Sequence, residues 1–156
     1  MIIGANCGSA ILQTGVQALG DGSVSAWYEW WPNPPVYYGS KFPVKGGDRL
    51  RMTVNATSTS SGSSTLENLT TGKRVSTPYS NMRDRLCLTD AEWIIELGGG
   101  AGSLADFGTW KFEKASATGS QGTVTPQGAE IWDIAENGQQ ETDCSADASG
   151  VICRHR

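Results

Sequence analysis

Seven short runs with two-residue alternation, each closed off by turn-forming residues, restrict this chain more than any other feature. They fall at 10–17 (AILQTGVQ), 25–31 (SAWYEWW), 49–56, 63–69 (SSTLENL), 90–97, 109–115 (TWKFEKA) and 129–134 (AEIWDI). Between them lie "GDG" at 20–22, "PNPP" at 32–35, "KGGD" at 45–48, "STSSGSS" at 58–64, "TTGK" at 70–73, "GGGAG" at 98–102 and "ENG" at 136–138. Gly, Pro, Asn and Ser supply the bends and positive φ angles that strands avoid. Strands at this spacing predict an all-β sandwich or barrel. With 156 residues and neither a repeat nor a dividing linker, one domain is expected. The alternation fades after about residue 138, so 139–156 reads as a divergent polar segment of loop.

Alternation also assigns faces, because successive strand side chains point to opposite sides of a sheet. In 10–17, Ile11, Gln13, Gly15 and Gln17 share one side, and Leu12, Thr14 and Val16 the other. In 25–31, Trp27, Glu29 and Trp31 oppose Ala26, Tyr28 and Trp30. In 90–97, Glu92, Ile94 and Glu96 oppose Ala91, Trp93 and Ile95. Three runs thus set polar groups beside large apolar ones, as grooves for peptide or glycan polymers do. Taken singly, Glu92 reads equally as a solvated acid, Gln13 as an amide satisfied by backbone, and Trp30 as core.

Several chemistries drop out. The one histidine, His155, is next to last, so a Ser-His-Asp or Cys-His arrangement has no base. No HExxH, phosphate-binding loop or dinucleotide fingerprint occurs, and no cofactor or metal is expected. Basic residues are dispersed and the net charge is −4, which argues against nucleic acid. No apolar run is long enough to span a membrane, and the N-terminus lacks the pattern of a signal peptide. The four cysteines, Cys7, Cys87, Cys144 and Cys153, form no CxxC pair; they suit two disulfides in an oxidising compartment, with three pairings open. Two sequons, at Asn55 and Asn68, would count only in a secretory pathway. Carboxylates, amides and hydroxyls remain for catalysis, which leaves acid–base hydrolysis of glycosides or peptides.

The blocks "AILQTGVQ", "AWYEWWP", "GDRLRMTV", "STLENLTTGK", "LCLTDAEWIIE" and "LADFGTWKF" occur in this order between Cys7 and Ile134. This succession resembles the glutamic peptidases, the eqolisin or G1 family of fungal acid endopeptidases. The resemblance implies a secreted, monomeric antiparallel β-sandwich of jelly-roll or concanavalin-like kind, acting on polypeptide. It implies a catalytic pair, Gln13 and Glu92, with Trp27, Glu29, Trp31 and Asp106 on the substrate side and Glu96 as a surface acid. It also implies a Cys7–Cys87 bridge, of order ~4 kcal/mol in the chain-entropy account, leaving Cys144 and Cys153 to pair or stay free. The sandwich would occupy residues 1–138. The family's opening strands lie upstream of Met1, so a sandwich incomplete at its N-terminus is expected, and Gln17 stands where the family has Asp. Two other readings are a non-catalytic sandwich binding peptide or glycan, and a glycosidase using Glu29 and Glu92.

Overall fold

The computed structural model describes residues 2–4, 10–98 and 103–156, and the chain divides into two compact units, Met1–Ile94 and Ile95–Arg156. In the first unit, β1 (Ile2–Ile3), β2 (Ile11–Ala18), β3 (Val24–Trp31) and β4 (Val36–Tyr37) form one antiparallel sheet in sequence order. A second antiparallel sheet holds β5 (Leu50–Ser58), β6 (Ser61–Asn68) and β7 (Lys73–Tyr79). The two sheets pack face to face, with Leu12 and Trp30 of the first meeting Val54 of the second over Ala10 and Leu86. A second cluster joins Ala26, Phe42 and Leu66. Each fully buried large apolar side chain here is worth roughly 1.5–3 kcal/mol. The core residues of β2 and β3 are the even-numbered set that alternation assigned to one side, which leaves Gln13, Trp27 and Glu29 on the opposite face. Trp30 is core, as that reading allowed, and its indole N–H donates to Asp84 O at 3.0 Å.

Strand β7 has no counterpart among the expected runs. Its sequence KRVSTPY carries Pro78, which removes a ladder donor. As an edge strand β7 tolerates this, because one side of its backbone needs no partner. Among the described residues, the run at 90–97 is not a strand but makes one isolated antiparallel bridge, Ile2 with Glu92. Its neighbour β1 is two residues long. Of the two sequon asparagines, Asn55 is exposed on β5, while Asn68 is buried with both its amide oxygen and nitrogen hydrogen-bonded.

The second unit contains β8 (Thr109–Glu113), β9 (Ala117–Gly119), β10 (Gly122–Val124), β11 (Ala135–Glu136), β12 (Gln139–Gln140), β13 (Thr142–Asp147) and β14 (Gly150–His155). A three-stranded sheet runs β13-β14-β8, and β9 with β10 and β11 with β12 form small hairpins. Residues 139–156, expected as loop, therefore hold a β-hairpin. Cys144 and Cys153 face each other across it and form a disulfide. Closing a loop with a sequence separation of 9 contributes roughly 2–3 kcal/mol in the chain-entropy account. The expected strand at 129–134 is irregular instead. There Asp133 accepts hydrogen bonds from Thr142 Oγ1 at 3.0 Å and Cys144 N at 2.9 Å, and Thr142 Oγ1 accepts from Ile134 N. These side-chain bonds compete with a ladder, and Trp132 stays 79% exposed. Cys87 is disulfide-bonded, and Cys7, its expected partner, lies outside the described residues.

Candidate active site

Cross-strand register builds the site in the first unit. Ile2 and Glu92 exchange two backbone hydrogen bonds, Ile2 N to Glu92 O at 3.1 Å and Glu92 N to Ile2 O at 3.2 Å. Ile2 pairs with Gln13, and Gln13 with Glu29. Residues directly opposite one another in a sheet point to the same face. Glu92, Ile2, Gln13 and Glu29 therefore form one row across four extended segments, away from the inter-sheet core. With strands ~4.8 Å apart, the Glu92 and Gln13 backbones lie about 10 Å from each other, with Ile2 between them.

Neighbouring rows extend this face. One row contains Gly15, Trp27 and Tyr37. A Cβ on Gly15 would meet the Trp27 indole at 3.2 Å, so the glycine leaves the slot in which that ring lies. Ile11 and Trp31 flank the Gln13 row on the other side, and Trp31 is 40% exposed. Beyond Trp27, Tyr37 Oη donates to Gln17 Oε1 at 2.6 Å. The result is an aromatic and amide floor around a buried polar pair: Gln13 and Glu29 are each 8% exposed. Gln13 Nε2 donates to Glu29 Oε2. A buried amide and carboxyl bonded to each other avoid the cost of leaving polar groups without partners. Glu92 is half-buried, and its Oε2 is shielded from solvent.

Alternation grouped Trp27, Glu29 and Trp31 on one side of their run and Gln13 with Ile11, Gly15 and Gln17 on one side of its own, and the β2–β3 register brings the two sides to one sheet face. Glu92 joins them through the Ile2 bridge. Glu96 is exposed. Asp106 belongs to the second unit, where it is well exposed, accepts from Gly108 N at 2.9 Å and lies 3.7 Å from His155 Nδ1. Two members of the face escaped the sequence reading. Tyr37 follows "PNPP" in a strand of two residues, too short to show alternation. Ile2 became visible only through its register with Gln13. Among the described residues, no group of three or more His, Cys, Asp or Glu side chains could hold a metal ion. Among the same residues, no helix is long and apolar enough to cross a membrane.

The model of the Peptidase A4 family matches residues 2–155. Aspergillopepsin-2 of Aspergillus niger is 43% identical over 157 residues; the alignment covers 96% of this chain but only 55% of that protein. Among solved structures, aspergilloglutamic peptidase from Aspergillus niger superposes with a TM-score of 0.89 at 41% identity, covering 99% of this chain and 95% of that one. Scytalido-glutamic peptidase, solved with a transition state analog inhibitor, gives 0.87 at 38% identity, covering 99% and 80% respectively. At these identities the likeness carries the fold, an antiparallel β-sandwich.

Proposed function

The chain belongs to the Peptidase A4 family, the glutamic peptidases, and we propose that it is an acid endopeptidase whose catalytic pair is Glu92 and Gln13. One observation supports this reading: the register Glu92–Ile2–Gln13 puts a carboxylate and an amide in one row of the same sheet face, on either side of an apolar residue. A glutamate with a reference pKa of about 4.3 is partly ionised in mild acid and can take a proton from water. The resulting nucleophile attacks the scissile carbonyl, and Glu92 returns the proton to the leaving amine. The Gln13 amide does not titrate; its NH₂ donates to the oxyanion as charge develops there. Neither step calls on histidine, cysteine or metal.

Substrate is polypeptide, laid along the face where Trp27 and Trp31 supply apolar contact, with Glu29 beside the pair. The solved relative bound to a transition state analog is consistent with a peptide in such a groove. The protein acts as a secreted monomer, in keeping with its cysteine usage and with the glutamic peptidases it resembles. The test is hydrolysis of acid-denatured protein by the purified chain, in the presence of inhibitors of serine, cysteine and metallo-peptidases. Turnover should persist with those inhibitors, disappear in Glu92→Ala, and fall about 10²–10³-fold in Gln13→Ala. Undiminished activity in Glu92→Ala overturns the assignment.

A further inference from the structure

We propose that Glu29 is a positioning residue that fixes the rotation of the Gln13 amide; this rests on the catalytic reading above. A glutamine amide is planar, and its terminal torsion is broad and nearly two-fold. Left alone, Gln13 would present its oxygen or its NH₂ to the groove with similar ease, and an oxygen turned toward a developing oxyanion would repel it. Glu29 removes that ambiguity. It sits directly opposite Gln13 in the β2–β3 ladder, is equally buried, and accepts from Gln13 Nε2. An ionised carboxylate can only accept, so it selects the nitrogen and turns Oε1 away. The amide nitrogen carries a second hydrogen, and Glu29 leaves that one for the substrate oxyanion.

The arrangement is built rather than incidental. Gln13 and Glu29 occupy the middle of two eight-residue strands. Their flanking residues Leu12 and Trp30 are anchored in the core, so neither backbone can shift to release the pair. Glu29 thereby acts through Gln13, not on substrate. Three consequences separate this role from a substrate contact or a structural one.

First, Glu29→Gln replaces a carboxyl, acceptor-only when ionised, by an amide that can donate or accept. It should lower kcat about 10²-fold, the scale of a misplaced catalytic group, and leave KM within about threefold, the scatter expected of uncoupled sites. Second, in a Gln13→Ala background the same change should cost less than about threefold, because there is no longer an amide to orient. Third, the Gln13 side-chain ¹H–¹⁵N pair, assigned by its loss in Gln13→Ala, should move in Glu29→Gln and Glu29→Asp, the latter withdrawing the acceptor by one methylene. A raised KM with unchanged kcat, additive losses in the double variant, or an amide signal indifferent to position 29 would each overturn the proposal. The spectroscopic arm needs no turnover. If wild-type chain hydrolyses nothing but the amide signal moves as stated, the peptidase reading fails while the orientation of Gln13 by Glu29 stands. Should Glu29→Gln not fold, Glu29→Asp carries the spectroscopic and kinetic arms.

Discussion

Replacing Asn68 gives a quantitative test of how the second sheet is tied together. Asn68 is 1% exposed at the end of β6. Its Nδ2 donates to Asp48 Oδ2 at 2.8 Å, and its Oδ1 accepts from Thr70 N at 3.0 Å and Thr71 N at 3.1 Å. Thr70 Oγ1 in turn accepts from Arg49 N at 2.9 Å, so the network joins the approach to β5 with the β6–β7 turn. Asn68→Ala removes three hydrogen bonds at about 1 kcal/mol net each. Thr70 and Thr71 are exposed and recover part of that from water, which leaves an expected loss of about 2–3 kcal/mol. Asn68→Asp keeps the shape and both accepting bonds but sets a carboxyl against Asp48. Two carboxylates at that distance cannot both ionise cheaply, so one of the pair titrates above the ordinary value of about 3.9. A folded-state pKa raised above the unfolded one gives stability that is present at low pH and lost as pH rises through the raised value. Asn68→Asp should therefore cost more than Asn68→Ala at pH 7 and less than it at pH 3, where the new O–H can donate to Asp48. Urea midpoints at pH 3, 5 and 7, each taken relative to wild type, measure this. A pH-independent penalty for Asn68→Asp, or a loss below about 0.5 kcal/mol for Asn68→Ala, refutes the network.

Two further predictions concern the core and the groove. Among the described residues, the buried Tyr79 hydroxyl and Ser64 Oγ find no hydrogen-bond partner at ordinary geometry, although Ser64 is near enough to pull the phenol pKa down. Burial dominates and pushes Tyr79 up from 10.0 to about 12. Because the folded value is the higher one, stability should fall as pH rises from about 10 toward about 12, and Tyr79→Phe should abolish that fall. At pH 7 the same variant should be neutral or slightly stabilising, since it deletes an unsatisfied group; a loss above about 1 kcal/mol in denaturant titration would contradict this. Gly15→Ala puts a methyl 3.2 Å from the Trp27 ring, so the indole must shift by tenths of an ångström. Steady-state kinetics on a peptide substrate should show KM raised more than kcat is lowered, and an unchanged KM would remove Trp27 from the substrate floor.

The legible part of the fold was the part built on alternation. Strands β2, β3, β5, β6 and β8 follow expected runs, and in β2 and β3 the residues packed in the core belong to the side the pattern named. Strand β7 was hidden because an edge strand with one covered face needs few apolar residues, and Val75 and Tyr79 sufficed. The C-terminal hairpin was hidden for a related reason. The ladder between β13 and β14 and the Cys144–Cys153 disulfide hold it, so its polar residues gave no hydrophobic period to read. Conversely, AEIWDI at 129–134 has the period but not the structure, since the bonds to Asp133 and Thr142 claim that segment. At the site, alternation could say that Gln13 and Glu29 each face away from their strand's core residues. It could not say that they face each other.

Register supplies that last relation, and register is enforced from the opposite face. A slip of one residue between β2 and β3 would set Gln13 against Tyr28 or Trp30 instead of Glu29, and would turn one strand's apolar set outward. Leu12 and Trp30, fully buried against Val54 and Leu86, make that slip cost several kcal/mol. The five-residue connection 19–23 fixes the same pairing locally, through Leu19 N to Ser23 O at 2.9 Å and Ser23 N to Asp21 Oδ1 at 2.9 Å. The polar pair thus contributes little to its own placement. Its alignment is set by apolar residues one position along the chain, and changes on the core face of β2 and β3 act on the groove chemistry without touching it.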